Sequence, residues 1–243
     1  MNIPSFFSDT YPEARHKFLQ ACSARGLEVD HRLNSNAVGA QGEPLFMDIV
    51  RIGAENATKV LFLMSGTHGV EGYCGSGAQI GFLTQGYFCD LPEDLSVVLV
   101  HAMNPYGFSH DRRVNEDNVD LNRNFLNFSA SERPHSDYAK IHPHVMPEDW
   151  DGPARKHANR QLASFIKAHG IRTFQAAMTG GQYQFADGLF YGGNQPTWSN
   201  ETFRAVLRDY AGSARTVGFL DFHTGLSPYG YGELISLGSS DQK

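Results

Sequence analysis

Lys59-Val60-Leu61-Phe62-Leu63-Met64-Ser65-Gly66-Thr67-His68-Gly69-Val70-Glu71-Gly72 passes from an unbroken apolar run into a glycine-rich loop. The run predicts a strand buried on both faces, because no polar residue alternates with the apolar ones. The loop places the His68 imidazole and the Glu71 carboxylate three residues apart. At the carboxyl end of a buried strand both side chains can point at one ion, and the glycines leave room for metal and substrate to approach the backbone. An HxxE pattern alone occurs by chance, so the neighbouring segments decide its weight.

Outward from this stretch, residues 45–52, 95–100 and 216–222 also read as strands, and 233–237 as a further one. Helices are expected over 9–25, 73–84, 152–169 and from Asn200 to about Tyr210. Ser8 or Asp9 caps the first, with Pro12 in its first turn and Gly26 past its end; Gly170 closes the third and Asn200 caps the last. Apolar strands alternating with helices predict an α/β domain with a mainly parallel sheet and helices on both faces. Residues 104–150 are polar, hold Pro105, Pro134, Pro143 and Pro147, and show no period, as a functional loop would.

The 243 residues suit one large α/β domain, 1–243, with a substantial core. A net charge of -6 gives no footprint for nucleic acid. No apolar run reaches the length of a membrane-spanning helix. Residues 1–9 lack the positive start and long apolar region of a signal peptide. Cys22, Cys74 and Cys89 form neither a CxxC pair nor a disulfide framework, so a reducing, cytoplasmic setting is expected. Cys74 reads as a small core residue on the helix after Glu71 rather than as a soft ligand.

Three loops, each after an expected buried strand, carry the chemistry. In open α/β sheets ligands bind outside the carboxyl ends of the strands. The first loop holds His68 and Glu71; the third opens with His223-Thr224-Gly225. Two histidines and one glutamate make the ligand set of a catalytic zinc site with the fourth position left for water. The second loop runs from Asn104-Pro105-Tyr106-Gly107-Phe108 through Arg113-Val114-Asn115 to Asp120-Leu121-Asn122-Arg123-Asn124-Phe125. Its arginine forks and amides suit a carboxylate or a developing oxyanion.

The order HxxE, NPxGF, RxN, DLNRNF and DxHTG resembles the zinc carboxypeptidase superfamily. It is most similar to the bacterial carboxypeptidase-like DUF2817 branch, related to aspartoacylase and succinylglutamate desuccinylase. The resemblance covers roughly residues 58–235. It implies a phosphorylase/hydrolase-like mixed sheet and one Zn2+ per chain on His68, Glu71 and His223. It implies that Asp120 hydrogen-bonds the first zinc histidine and that Arg113 polarises the scissile carbonyl. Asn122 and Arg123 are implied to grip the terminal carboxylate of a small peptide or acyl amino acid.

In that superfamily a glutamate well downstream of the third ligand activates water. Here Glu233 is the sole glutamate after His223. Lying ten residues past it, Glu233 is a weak candidate base, better placed to start a strand or line the cleft rim. The chain is therefore expected to lack the family's C-terminal portion, leaving an exposed edge that a homo-oligomer would cover. Two functions compete: a zinc hydrolase of an amide bond beside a free carboxylate, and a metal- or ligand-binding relative without the base. Among the remaining histidines, His101 reads as a hydrogen-bonded core residue and His142 and His144 as surface-loop residues. His110 stands between cleft and surface. The segments 182–184 and 188–193 read equally as substrate-contacting or as packed structural loops.

Overall fold

The computed structural model describes residues 2–130, 136–225 and 228–235. Its elements, in chain order, are α1 (Tyr11–Ser23), β1 (Asp30–Asn34), β2 (Leu45–Ile52), β3 (Lys59–Met64), α2 (Gly72–Gln85) and β4 (Leu95–His101). Then follow α3 (Pro105–Ser109), α4 (His142–Val145), α5 (Pro153–His169), α6 (Ile171–Thr179), α7 (Trp198–Ala211) and β5 (Thr216–Asp221).

The strands lie in the order β1-β2-β4-β3-β5. β3 pairs in parallel with β4 and β5, and β2 runs antiparallel to both β4 and β1. Four strands therefore share one direction and β2 opposes them. The register sets the site: Met64 faces Val100 on one side and Asp221 on the other. The loops that leave β3, β4 and β5 consequently emerge level with one another.

Each face of the sheet is covered, which is why β3 and β4 have no polar alternation. Phe18 and Cys22 of α1 and Ile80 and Leu83 of α2 pack on Val50, Leu63, Val97 and Leu99. Phe203 and Val206 of α7 pack on Met47, Ile49, Phe62, Val98 and Val100 on the other side. Removal of a buried ring such as Phe62 from this layer costs about 3–5 kcal/mol.

The local signals shift at several ends. Thr10, not Ser8 or Asp9, caps α1: its Oγ1 accepts from Glu13 N, while Glu13 Oε2 accepts from Asp9 N, so the glutamate three residues on selects the cap. Thr197, not Asn200, caps α7, and it does so by accepting from Asn200 N. α6 follows Gly170 directly, where the sequence showed no helix. β1 is polar and carries no apolar run that would mark it as a strand. Residues 233–235 form exposed coil rather than the start of a strand, and 236–237 lie outside the described residues. β5 ends the described sheet, with Val217 38% and Phe219 54% exposed, although Phe219 stacks on Phe62 at 5.4 Å.

His101 closes β4 as a fully buried core residue, stacked on Phe18 at 4.5 Å with Nε2 2.9 Å from Ser76 Oγ. Burial holds its pKa down to about 4, against the pull of Asp48. Its unfolded-state pKa is about 6.5. The unfolded chain thus takes up a proton that the folded chain refuses, and the stability this group contributes is complete above the unfolded value and lost as pH falls toward 4. Unfolding titrations of the wild type and His101→Gln between neutrality and pH 4 should diverge by about 3 kcal/mol, the wild type losing more. Parallel curves would show that His101 accepts a proton inside the fold.

Candidate metal centre

The turn from β3 into α2 needs two glycines. Gly66 has φ +69°, and a Cβ on Gly69 would lie 1.9 Å from the Gly107 carbonyl carbon. That close approach lets Gly69 N and Val70 N donate to the carbonyls of Arg113 and Arg112, pinning the second loop against the first. Asn104 shapes the start of the second loop by capping α3, its Oδ1 accepting from Gly107 N.

The donor atoms of His68, Glu71 and His223 all lie within 4.8 Å of one another. Both imidazoles turn Nδ1 toward the same carboxylate: His68 Nδ1 is 3.1 Å from Glu71 Oε1 and His223 Nδ1 is 2.8 Å from Glu71 Oε2. Both turn Nε2 outward to another acid. His68 Nε2 is 3.4 Å from Asp120 Oδ1, and His223 Nε2 is 2.8 Å from Asp221 Oδ2. Asp221 is itself held by Thr67 Oγ1. Outer carboxylates that accept from Nε2–H leave the inward Nδ1 lone pairs for a cation. The residues therefore fit a divalent ion with nitrogen and oxygen ligands.

The electrostatics agree. Burial raises the Glu71 pKa, but the hydrogen bonds of His223 and His68 outweigh it and hold this carboxyl far below its usual range. Asp120, despite burial, sits at about 2 because His68 and Arg113 face it. Asp221 and then Glu71 raise His223 to about 10; burial works against His68, yet Asp120 and Glu71 raise it too. The Glu71 carboxylate, with the two imidazole Nδ1 atoms turned toward it, stands where a dication would bind.

Arg113 donates through Nε to Asp120 Oδ2 at 3.0 Å and keeps Nη1 4.0 Å from Glu71. Asn122 Nδ2 lies 3.3 Å from His68 Nε2. Arg123 donates through Nη2 to Thr179 O, while its buried Nε has no hydrogen-bond partner among the described residues. Both guanidiniums lie beside the ring of Phe190. Glu233 lies in exposed coil after β5 and is not one of the converging ligands.

Cys74 is exposed on α2 rather than packed in the core, and it stands outside the ligand set. His142 is not a surface-loop residue: its ring stacks on Phe185 at 3.9 Å within a small helical cluster. His110 stays on the outside, bonded to Val38 O. Sequence reasoning assigned no role to Asp221, although two residues of extended chain put it on the same side as His223.

Residues 7–243 match the family described as "Protein of unknown function (DUF2817)", and the chain belongs to that family. No curated protein matches the sequence. Among solved structures, bovine thrombin-activatable fibrinolysis inhibitor in complex with tick carboxypeptidase inhibitor shares 16% identity. That match covers 95% of this chain and 66% of the other, with a TM-score of 0.51. Carboxypeptidase A from Helicoverpa armigera shares 14% identity over 89% of this chain and 65% of its own, with a TM-score of 0.38. An aspartoacylase family protein from Mesorhizobium loti shares 16% over 80% and 70%, with a TM-score of 0.30. The likeness of fold rests on the first. The chain spans just under two thirds of the length of the first two.

Asp221→Asn should weaken the uptake of an added divalent ion by these residues about 10–100-fold, because the Asp221 carboxylate faces His223 Nε2 at 2.8 Å. Competition with a chromophoric chelator measures this. An unchanged affinity would show that Asp221 does not support the centre.

Proposed function

We propose that this chain is a zinc-dependent hydrolase of an amide bond adjacent to a free carboxylate, as a carboxypeptidase or an N-acyl amino acid deacylase is. The observation that carries the reading is the convergence of His68, Glu71 and His223, with each imidazole backed by its own carboxylate. These three residues would hold the metal. When bound, zinc supplies Lewis-acid polarisation of a carbonyl and acidifies water.

The other side chains supply binding and charge. Arg113, half-exposed beside Glu71, offers a fixed positive charge to the scissile carbonyl. Asn122 and Arg123 take the substrate's terminal carboxylate; the unpartnered Nε of Arg123 is a donor that needs an acceptor. Asp120 orients His68 and Arg113 together. The substrate is a small peptide or acyl amino acid, and the setting is cytoplasmic. Among the described residues no helix is long and apolar enough to cross a membrane.

A second reading is a relative that binds metal or ligand without turnover. The placement of Glu233, the candidate base, in exposed coil favours it. Metal analysis of the purified chain, with hydrolysis of a panel of acyl amino acids and short peptides with and without chelator, separates the two. Chelator-sensitive hydrolysis supports the hydrolase; bound zinc with no turnover supports the second reading; a chain that takes up no zinc sinks the hydrolase and leaves only a ligand-binding relative. In an active chain Glu233→Gln tests the base, and abolished turnover with retained zinc would assign it. Arg113→Ala should lower kcat by about 10²–10³-fold. Arg123→Ala should chiefly raise KM, by about tenfold or more.

A further inference from the structure

Phe190 adopts φ +52°, in the left-handed region that a bulky side chain rarely enters. Its neighbours impose that conformation. Leu189 N donates to Tyr138 Oη at 2.8 Å, Gln182 N donates to Phe190 O at 3.1 Å, and Asp120 N donates to Tyr191 O at 2.8 Å. Gln182, itself buried, folds the loop back by accepting from Gln184 N and Phe185 N. The last of the three bonds ties this loop to the residue that faces both His68 and Arg113. A strained residue held this firmly beside two arginines points to a use for its side chain.

The ring has such a use. The Arg113 guanidinium carbon lies 5.0 Å from its centroid and that of Arg123 lies 5.9 Å away. Both are within cation–π range of one ring. Arg113 has Asp120 as counter-charge, whereas among the described residues the Arg123 guanidinium finds only the Thr179 carbonyl as hydrogen-bond acceptor. The π electrons of an aromatic ring attract both guanidiniums without consuming a donor that a ligand would use.

We propose that Phe190 is a positioning residue for Arg113 and Arg123, and that its ring sets how strongly the cleft prefers a carboxylate over an uncharged amide. The inference rests on the carboxylate reading given above. Phe190→Leu keeps the bulk and removes the π face; Phe190→Tyr keeps it. Phe190→Asn suits the left-handed backbone and removes the ring.

The test measures the affinity of the zinc-loaded chain for 3-phenylpropanoate, which has no amide bond to cleave, and for its amide by calorimetry. The acid-to-amide ratio should fall by about tenfold in Phe190→Leu, the value of one or two cation–π contacts. Phe190→Tyr should restore the wild-type ratio. The Arg113 and Arg123 Nε–H resonances should move in Phe190→Leu, as the ring current disappears, and stay near their places in Phe190→Tyr. Phe190→Asn should lose the discrimination while melting no lower than the wild type, which a merely structural residue would not do. A wild type that discriminates, with Phe190→Leu discriminating equally, overturns this inference alone. A wild type that treats acid and amide alike overturns the carboxylate reading and this inference with it.

Discussion

Everything at the top of the sheet depends on the register that sets Met64 level with Val100 and with Asp221. Parallel strands that end together deliver their following loops to one place. His68 follows β3 by four residues and His223 follows β5 by two, so the two imidazoles meet with their ring centroids 4.7 Å apart. A slip of one residue in β5 would turn Asp221 and His223 to the opposite face of the sheet. The apolar packing of β3 and β4 on both faces is what forbids that slip in the middle of the sheet, because it would expose Phe62 and Val98 to the wrong layer.

Around Glu71 the charges alternate outward: a carboxylate at the centre, imidazoles beside it, and the Asp120 and Asp221 carboxylates behind them. Asp120 is fully buried and also holds Arg113, so one side chain serves an imidazole and a guanidinium at once. Removing one member of such a set costs more than its own bonds, because its partners are left charged and desolvated. The short turn Leu121–Arg123 is fixed to the same residue, Asp120 Oδ1 accepting from Asn122 N. Positions of Asn122 and Arg123 therefore follow from that of Asp120.

Much of this was legible in the sequence because the signals were local. Unbroken apolar runs gave β3, β4 and β5, and glycines next to His and Glu marked the loops at their ends. The family resemblance supplied roles that no spacing could give, such as that of Asp120. What the sequence hid was non-local or faint. β1 is polar and is defined by its pairing with β2, and α6 follows α5 after a single glycine. Cys74 looked apolar by type, yet α2 turns it outward, since the inner face of that helix is made by Gly75, Gln79, Ile80 and Leu83. Phe190 stood within the segment 188–193, which reads equally as substrate-contacting or structural; what singles it out is a backbone angle and two arginines more than sixty residues upstream.

β5 is the outermost strand described, held by β3 and by the Phe219 stack, and it delivers His223. The other two converging ligands belong to the well-buried β3–α2 turn. An ion bound by all three would therefore clamp an edge strand to the interior, and its binding free energy would appear as resistance of β5 to fraying. The linkage runs both ways. Any chain that pairs with the open side of β5 and steadies it would also raise the affinity of the centre for its ion, without touching a single ligand.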